Sequence, residues 1–154
     1  MKKIFLSIAT MLMMGVSISA FAAKNDDGDV NQLAVRSFKK DFTGASNIVW
    51  EQRDRYTKAT FSLHGQVLFA YYNDNGDLQA VVRNITSDQL PINLLTDLKK
   101  EYSGYWISDL FEIASDDQTT YYVTIETGDK KIVLKSQGAE FWGEYQKEKK
   151  ATNL

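Results

Sequence analysis

The chain has 154 residues, with 18 Lys and Arg against 20 Asp and Glu for a formal charge of −2, 12% aromatic residues and no cysteine. That length, less a leader, suffices for one hydrophobic core and hardly for two. The missing cysteine excludes a disulfide framework and the thiol that tethers a bacterial lipoprotein, so apolar burial alone must hold the fold.

Met1-Lys2-Lys3 is a positive n-region, and Ile4 to Ile18 form an apolar stretch interrupted only by Ser, Thr and Gly. Ala20-Phe21-Ala22 then fits the A-x-A cleavage pattern, which reads residues 1–22 as a signal peptide cut after Ala22. The apolar run is shorter than the roughly 20 residues that cross a bilayer, so no stable membrane insertion is expected after cleavage. Periplasmic or secreted location follows. Loss of Lys2 and Lys3 leaves 16 basic and 20 acidic residues, a charge of −4. The one basic cluster, Lys147, Lys149 and Lys150, also holds Glu148 and reads as a charged tail over 147–154. A phosphate-binding surface needs clustered Lys and Arg, so nucleic acid is not expected as a partner.

Residues 23–29 are polar and acidic and read as a linker. Val30, Leu33, Ala34, Phe38 and Phe42 recur at helical spacing, which predicts a helix over Val30 to Phe42 with Asp29 or Asn31 as cap and Gly44 as terminator. From Asn47 to Ile85 the period changes to two. Ile48-Val49-Trp50, Tyr56–Leu63, Gln66–Tyr72 and Asp77–Ile85 read as four strands, separated in part by the turn signals His64-Gly65 and Asn73-Asp74-Asn75-Gly76. Ser87-Asp88-Gln89-Leu90-Pro91 opens a second helix, with Ser87 or Asp88 as its expected cap, whose apolar face is Leu94, Leu95, Leu98 and Tyr102, with Gly104 at its end. Strands follow near 106–115, 119–126 and 131–136, with a weaker one through Phe141-Trp142.

The chain repeats itself. Phe38-Lys39-Lys40-Asp41-Phe42-Thr43-Gly44 matches Leu98-Lys99-Lys100-Glu101-Tyr102-Ser103-Gly104 in chemical type at an offset of 60, and later turns correspond at offsets of 63 and 62. Two helix-plus-four-strand units, about 30–85 and 87–146, therefore make up a domain over 30–146. The expected fold is α+β, one continuous antiparallel sheet with both helices packed on one face.

Alternation assigns Phe61, Val67, Phe69, Ala80, Val82, Phe111, Ile113 and Val123 to the helix side. It sends Tyr56, Lys58, Leu68, Tyr72, Arg83, Tyr122 and Lys135 to the other face. Tyrosines among apolar and basic groups make these seven the candidate binding residues, because Tyr and Arg give large contact area with a polar handle. Cross-strand pairing on a solvated sheet would use the same residues.

Catalytic and metal signals are thin. His64 is the single histidine and sits in a turn, and without cysteine the nitrogen and sulfur ligands for zinc are nearly absent. Acids lie mainly in turns and linker rather than as a pair flanking a cleft. The loops 25–29 and 73–77 resemble calcium loops but lack the terminal bidentate acid, so a hairpin turn and a linker are expected there. No catalytic residue, metal or cofactor is expected. Trp50, Tyr105, Trp106, Phe141, Trp142 and Tyr145 suit either sugar stacking or closure of a small core, and their positions at strand ends favour closure.

The exported leader, the helix ending F-K-K-D-F at 38–42, N-I-V-W at 47–50, A-T-F at 59–61, N-G-D at 75–77, Leu90-Pro91 and K-K-E-Y-S-G-Y at 99–105 together resemble the PepSY-like proteins. These are small secreted proteins common in Bacteroidetes, with a fold similar to beta-lactamase inhibitory protein. The resemblance covers Val30 to about Trp142 and carries over no catalytic residue, the members being mostly uncharacterised. The fold analogue inhibits an enzyme by pressing a sheet face and loops onto it, which implies another envelope or secreted protein as partner. A small-ligand or glycan binder is the alternative, and an enzyme built on His64 a distant third.

Overall fold

The computed structural model describes residues 30–116 and 118–150. The signal peptide and linker expected over 1–29 lie outside the described residues, as do 151–154 of the charged tail.

Helix α1 spans Gln32–Asp41. Of the two candidate caps, Asn31 is the one that closes it: its Oδ1 accepts the N–H groups of Leu33 and Ala34 at 2.9 and 3.4 Å. Lys39 and Lys40 occupy the last turn, where the negative end of the helix dipole favours cations. Four strands follow, β1 Ser46–Arg53, β2 Tyr56–Leu63, β3 Gln66–Tyr72 and β4 Leu78–Asn84. A 3-10 turn at Ser87–Gln89 leads to α2, Ile92–Glu101. Neither Ser87 nor Asp88 caps α2. Instead the Thr86 N–H donates to Gln89 Oε1 at 2.9 Å, and Pro91 precedes the first helical residue. The second unit continues with β5 Trp106–Ser115, β6 Gln118–Glu126, β7 Lys130–Gln137 and β8 Phe141–Lys149.

All eight strands form one open sheet in chain order, each antiparallel to the next. The architecture is α+β, as the alternating periods predict. β8 runs much further than its apolar start indicates. Lys147 and Lys149 pair with Ile132 and Lys130, and Lys150 Nζ reaches Glu126 Oε2 at 2.6 Å, so the basic run is paired strand and not a frayed tail. An edge strand needs one ladder only, and charges there discourage pairing with another sheet.

The duplication extends to irregularities. A bulge between Ser46 and Val49 in the β1–β2 ladder has its counterpart between Ile107 and Asp109 in β5–β6. Another, between Tyr71 and Tyr72 in β3–β4, recurs between Val133 and Leu134 in β7–β8.

Each helix buries one stripe against its own unit. Under α1, Phe38 meets Phe61 edge-on at 4.8 Å and Trp50 at 5.2 Å. Under α2, Leu94 and Leu98 join Leu110, Val123, Ile125 and Leu134, and Trp142 donates its Nε1–H to the Leu94 carbonyl at 2.9 Å. The acidic 73–77 loop is a docked hairpin. Asn73 Oδ1 accepts the N–H groups of Asn75 and Asp77, each at 2.9 Å, while Asn31 Nδ2 donates to the Asp74 carbonyl at 2.9 Å. Gly76 lies against α1 so closely that a Cβ there would stand 2.6 Å from Leu33 Cβ.

Candidate binding surface

Both described helices cover the same side of the sheet, and pairing register decides which side chains share the other. Tyr56, Lys58, Tyr122 and Lys135 lie on the helix-free face, as alternation predicts. Leu68, Tyr72 and Arg83 do not. The turn at His64-Gly65 has two residues, both at positive φ, so Leu63 pairs directly with Gln66. Partners in a ladder share a face, which puts Gln66, Leu68 and Tyr72 with Leu63 under the helices. Arg83 pairs with Leu68 and with Glu112, and is carried to the same side.

The converse correction concerns Val67, Phe69, Ala80, Val82, Phe111 and Ile113, expected under the helices but found on the helix-free face. The extra residue at Ser108 in the β5 bulge resets the phase of that strand. Of these, Phe69, Ala80, Val82, Phe111 and Ile113 pack with Tyr71, Tyr122, Val133 and Tyr145 into a second apolar cluster.

This cluster has two aromatic groupings. At one, Tyr56 and Tyr71 have ring centroids 5.6 Å apart, and Lys58 Nζ stands 5.2 Å from the Phe69 ring while bonding Glu51 Oε1 at 2.8 Å. Arg53 holds the other Glu51 oxygen at 3.1 Å. Burial pushes the Glu51 carboxyl up, but the two cations outweigh it and leave it below the usual carboxylate range. Burial, with Tyr56 and Glu51 nearby, raises the Tyr71 hydroxyl well above its ordinary value. At the other grouping Phe111 stacks on Tyr122 at 5.3 Å, Tyr145 meets Tyr122 edge-on at 5.6 Å, and Lys135 Nζ lies 5.6 Å from the Tyr122 centroid. Tyr122 is only 2% exposed, and burial followed by Tyr145 pushes its hydroxyl up to about 12. Asp109 is raised by burial, against smaller opposing effects of the Leu110 N–H and Lys131.

Thus Tyr122 is a floor residue, and ring edges, lysines and the rim provide the accessible chemistry. Trp106 and Phe141, each 52% exposed, lie on this face by register with Glu126 and Gln137. Tyr145, read in sequence as a closing or stacking aromatic, was not placed on this face because it is the extra residue of the last bulge, which alternation does not foresee.

On the covered side, Arg83 Nε and Nη2 bind Glu112 Oε1 and Oε2 at 2.7 and 3.1 Å, a two-point ion pair between the helix-covered clusters. Tyr72 is fully buried under α1 and its hydroxyl has no hydrogen-bond partner among the described residues. His64 is exposed with φ 50, a turn residue by geometry. Among the described residues no group of three or more His, Cys, Asp or Glu is placed to hold a metal, and no helix is long and apolar enough to cross a membrane.

No protein-family model and no curated protein matches the chain. Solved structures do. A BLIP-like protein of Bacteroides fragilis superposes with TM-score 0.66 at 24% identity, covering 84% of this chain and 94% of that one. A DUF2874 family protein of Bacteroides ovatus gives 0.69 at 16%, covering 78% and 87%. A protein of Bacteroides eggerthii provisionally called periplasmic gives 0.67 at 14%, covering 78% and 88%. The fold is BLIP-like. At these identities the likeness concerns the BLIP-like architecture of two helices on one open eight-stranded sheet, and leaves function to the site.

Proposed function

We propose that this chain is an exported, non-enzymatic binding protein of the cell envelope, PepSY-like in family, that engages another protein through its helix-free sheet face as an inhibitor-like module. The observation that supports this reading is the aromatic cluster on that face, with Lys58 and Lys135 each over a ring and Trp106 and Phe141 half exposed at its margins. Rigid aromatics beside cations are the composition of interface hot spots. The leader over 1–22 and the BLIP-like relative agree with export and with binding. A glycan ligand is the second reading, favoured by Trp106 and Phe141 as exposed stacking platforms on one face.

The test is capture from envelope extract by the exported chain and by a Lys58→Gln/Lys135→Gln variant, with thermal melts of both. The buried Tyr72 and Tyr122 are unsuitable for this purpose, since truncating either would damage the core. A protein retained by the parent and lost from an equally stable variant is the expected result. Undiminished retention would overturn the proposed face, and binding of glycans in place of proteins would favour the second reading.

A further inference from the structure

Gly143 is the single glycine within a strand among the described residues. Gly44, Gly65, Gly76 and Gly138 have positive φ, which accounts for glycine at each. Gly143 has neither a positive φ nor a crowded site. A Cβ there would meet Gln137 Nε2 at 3.4 Å and the Lys135 carbonyl at 3.7 Å, both ordinary contacts. Glycine weakens a strand and is found at bulges or where another molecule approaches closely; Gly143 stands outside the bulge at Tyr145, in regular register with Lys135, which leaves close approach as the reason for it.

Its surroundings say what approaches. Gly143 pairs with Lys135 on the helix-free face, with Phe141 and Tyr145 two residues to either side along β8, so its missing side chain leaves a notch between these positions, bordered by the Gln137 amide. Lys135 borders the notch and has no carboxylate within 4.0 Å among the described residues. The notch is held rigidly. On the opposite face Trp142 is clamped to α2, its N–H on Asp97 Oδ2 at 3.3 Å and its Nε1–H on the Leu94 carbonyl.

We propose that this notch receives an acidic peptide segment of a partner protein, one apolar side chain over Gly143 between Phe141 and Tyr145 and a carboxylate on Lys135. The proposal rests on the protein-binding reading above and names the chemistry recognised within that face.

The experiment selects linear peptides from a phage-displayed random library on the purified exported chain, then measures their affinity for Gly143→Val, Lys135→Gln and Lys58→Gln. The expected peptides carry Asp or Glu beside a large apolar residue. They bind Gly143→Val and Lys135→Gln at least tenfold more weakly, and lose less with Lys58→Gln, which lies on the same face but outside the notch. Gly143→Ala should meanwhile raise the melting midpoint by about 2–4 °C, because alanine loses less backbone freedom on folding. A merely structural glycine would do the reverse, so a lowered midpoint overturns the proposal. Peptides sensitive to Lys58→Gln but not to Gly143→Val would overturn the notch and leave the helix-free face standing. No selected peptide, or peptides indifferent to all three replacements, would overturn both.

Discussion

Replacing Gly76 by alanine tests how the first repeat is locked together. Gly76 has φ +79, and so does Gly65, but their surroundings differ: a Cβ on Gly65 meets nothing within 4 Å. On Gly76 it would stand 2.6 Å from Leu33 Cβ, 2.7 Å from the Leu33 carbonyl carbon and 3.0 Å from the Ala34 nitrogen. Two of those atoms are helix backbone, which cannot rotate away. The left-handed conformation should cost either alanine about 1–2 kcal/mol. Forcing the hairpin off α1 adds about 1–3 kcal/mol at Gly76 alone, the usual range for an overpacked contact. Urea unfolding should therefore place Gly76→Ala about 2–5 kcal/mol below the parent and Gly65→Ala only about 1–2 below, with unchanged m-values. The difference between the two variants isolates the steric part, since their φ values are the same. Equal destabilisation would refute the close seating of the hairpin on α1, and with it the structural account of the 73–77 loop.

Tyr72→Phe should raise stability by up to about 1 kcal/mol in a thermal melt, because it removes a fully buried hydroxyl that has no partner among the described residues. A loss of stability would show that the hydroxyl is bonded after all. Arg83→Ala should cost about 1–3 kcal/mol by leaving the largely covered Glu112 unpaired, and pairing it with Glu112→Leu should recover much of that loss in a double-mutant cycle. Additive losses would show that the two side chains act independently. Asp109→Asn should stabilise the protein at neutral pH. Burial raises its folded-state pKa above the ordinary 3.8, so ionisation opposes folding once pH rises past that unfolded value, fully so above the folded one. The gain should shrink as pH falls through this window and vanish below the unfolded pKa, whereas a pH-independent gain would point to packing instead.

Element order was legible in the sequence because it depends on local signals. Helical spacing at Ala34, Phe38, Leu94 and Leu98, the two-residue turn at His64-Gly65 and the recurrent K-K-[DE]-aromatic-[ST]-Gly ends identify two helix-plus-strand units without any tertiary contact. The same register information places Tyr56, Lys58, Tyr122 and Lys135 together on one face. Leu68 and Tyr72 were also decidable in principle, since a two-residue turn makes Leu63 and Gln66 partners and so sets the phase of β3.

Other features depended on distant parts of the chain. Bulges at Gln79, Ser108 and Tyr145 each insert one residue against the partner strand, and a single insertion sends every later side chain to the opposite face. That is why Phe111 and Ile113 join Tyr122 on the helix-free side despite an ordinary alternating pattern. The length of β8 was decided the same way, because Lys147, Glu148 and Lys149 have little strand preference of their own and take their conformation from the ladder with β7. By itself the sequence determined two units, their helices and their turns, all of which are set by neighbours along the chain. Only tertiary structure decided which aromatics form the helix-free face and where Gly143 opens it, because ladder register is a relation between strands.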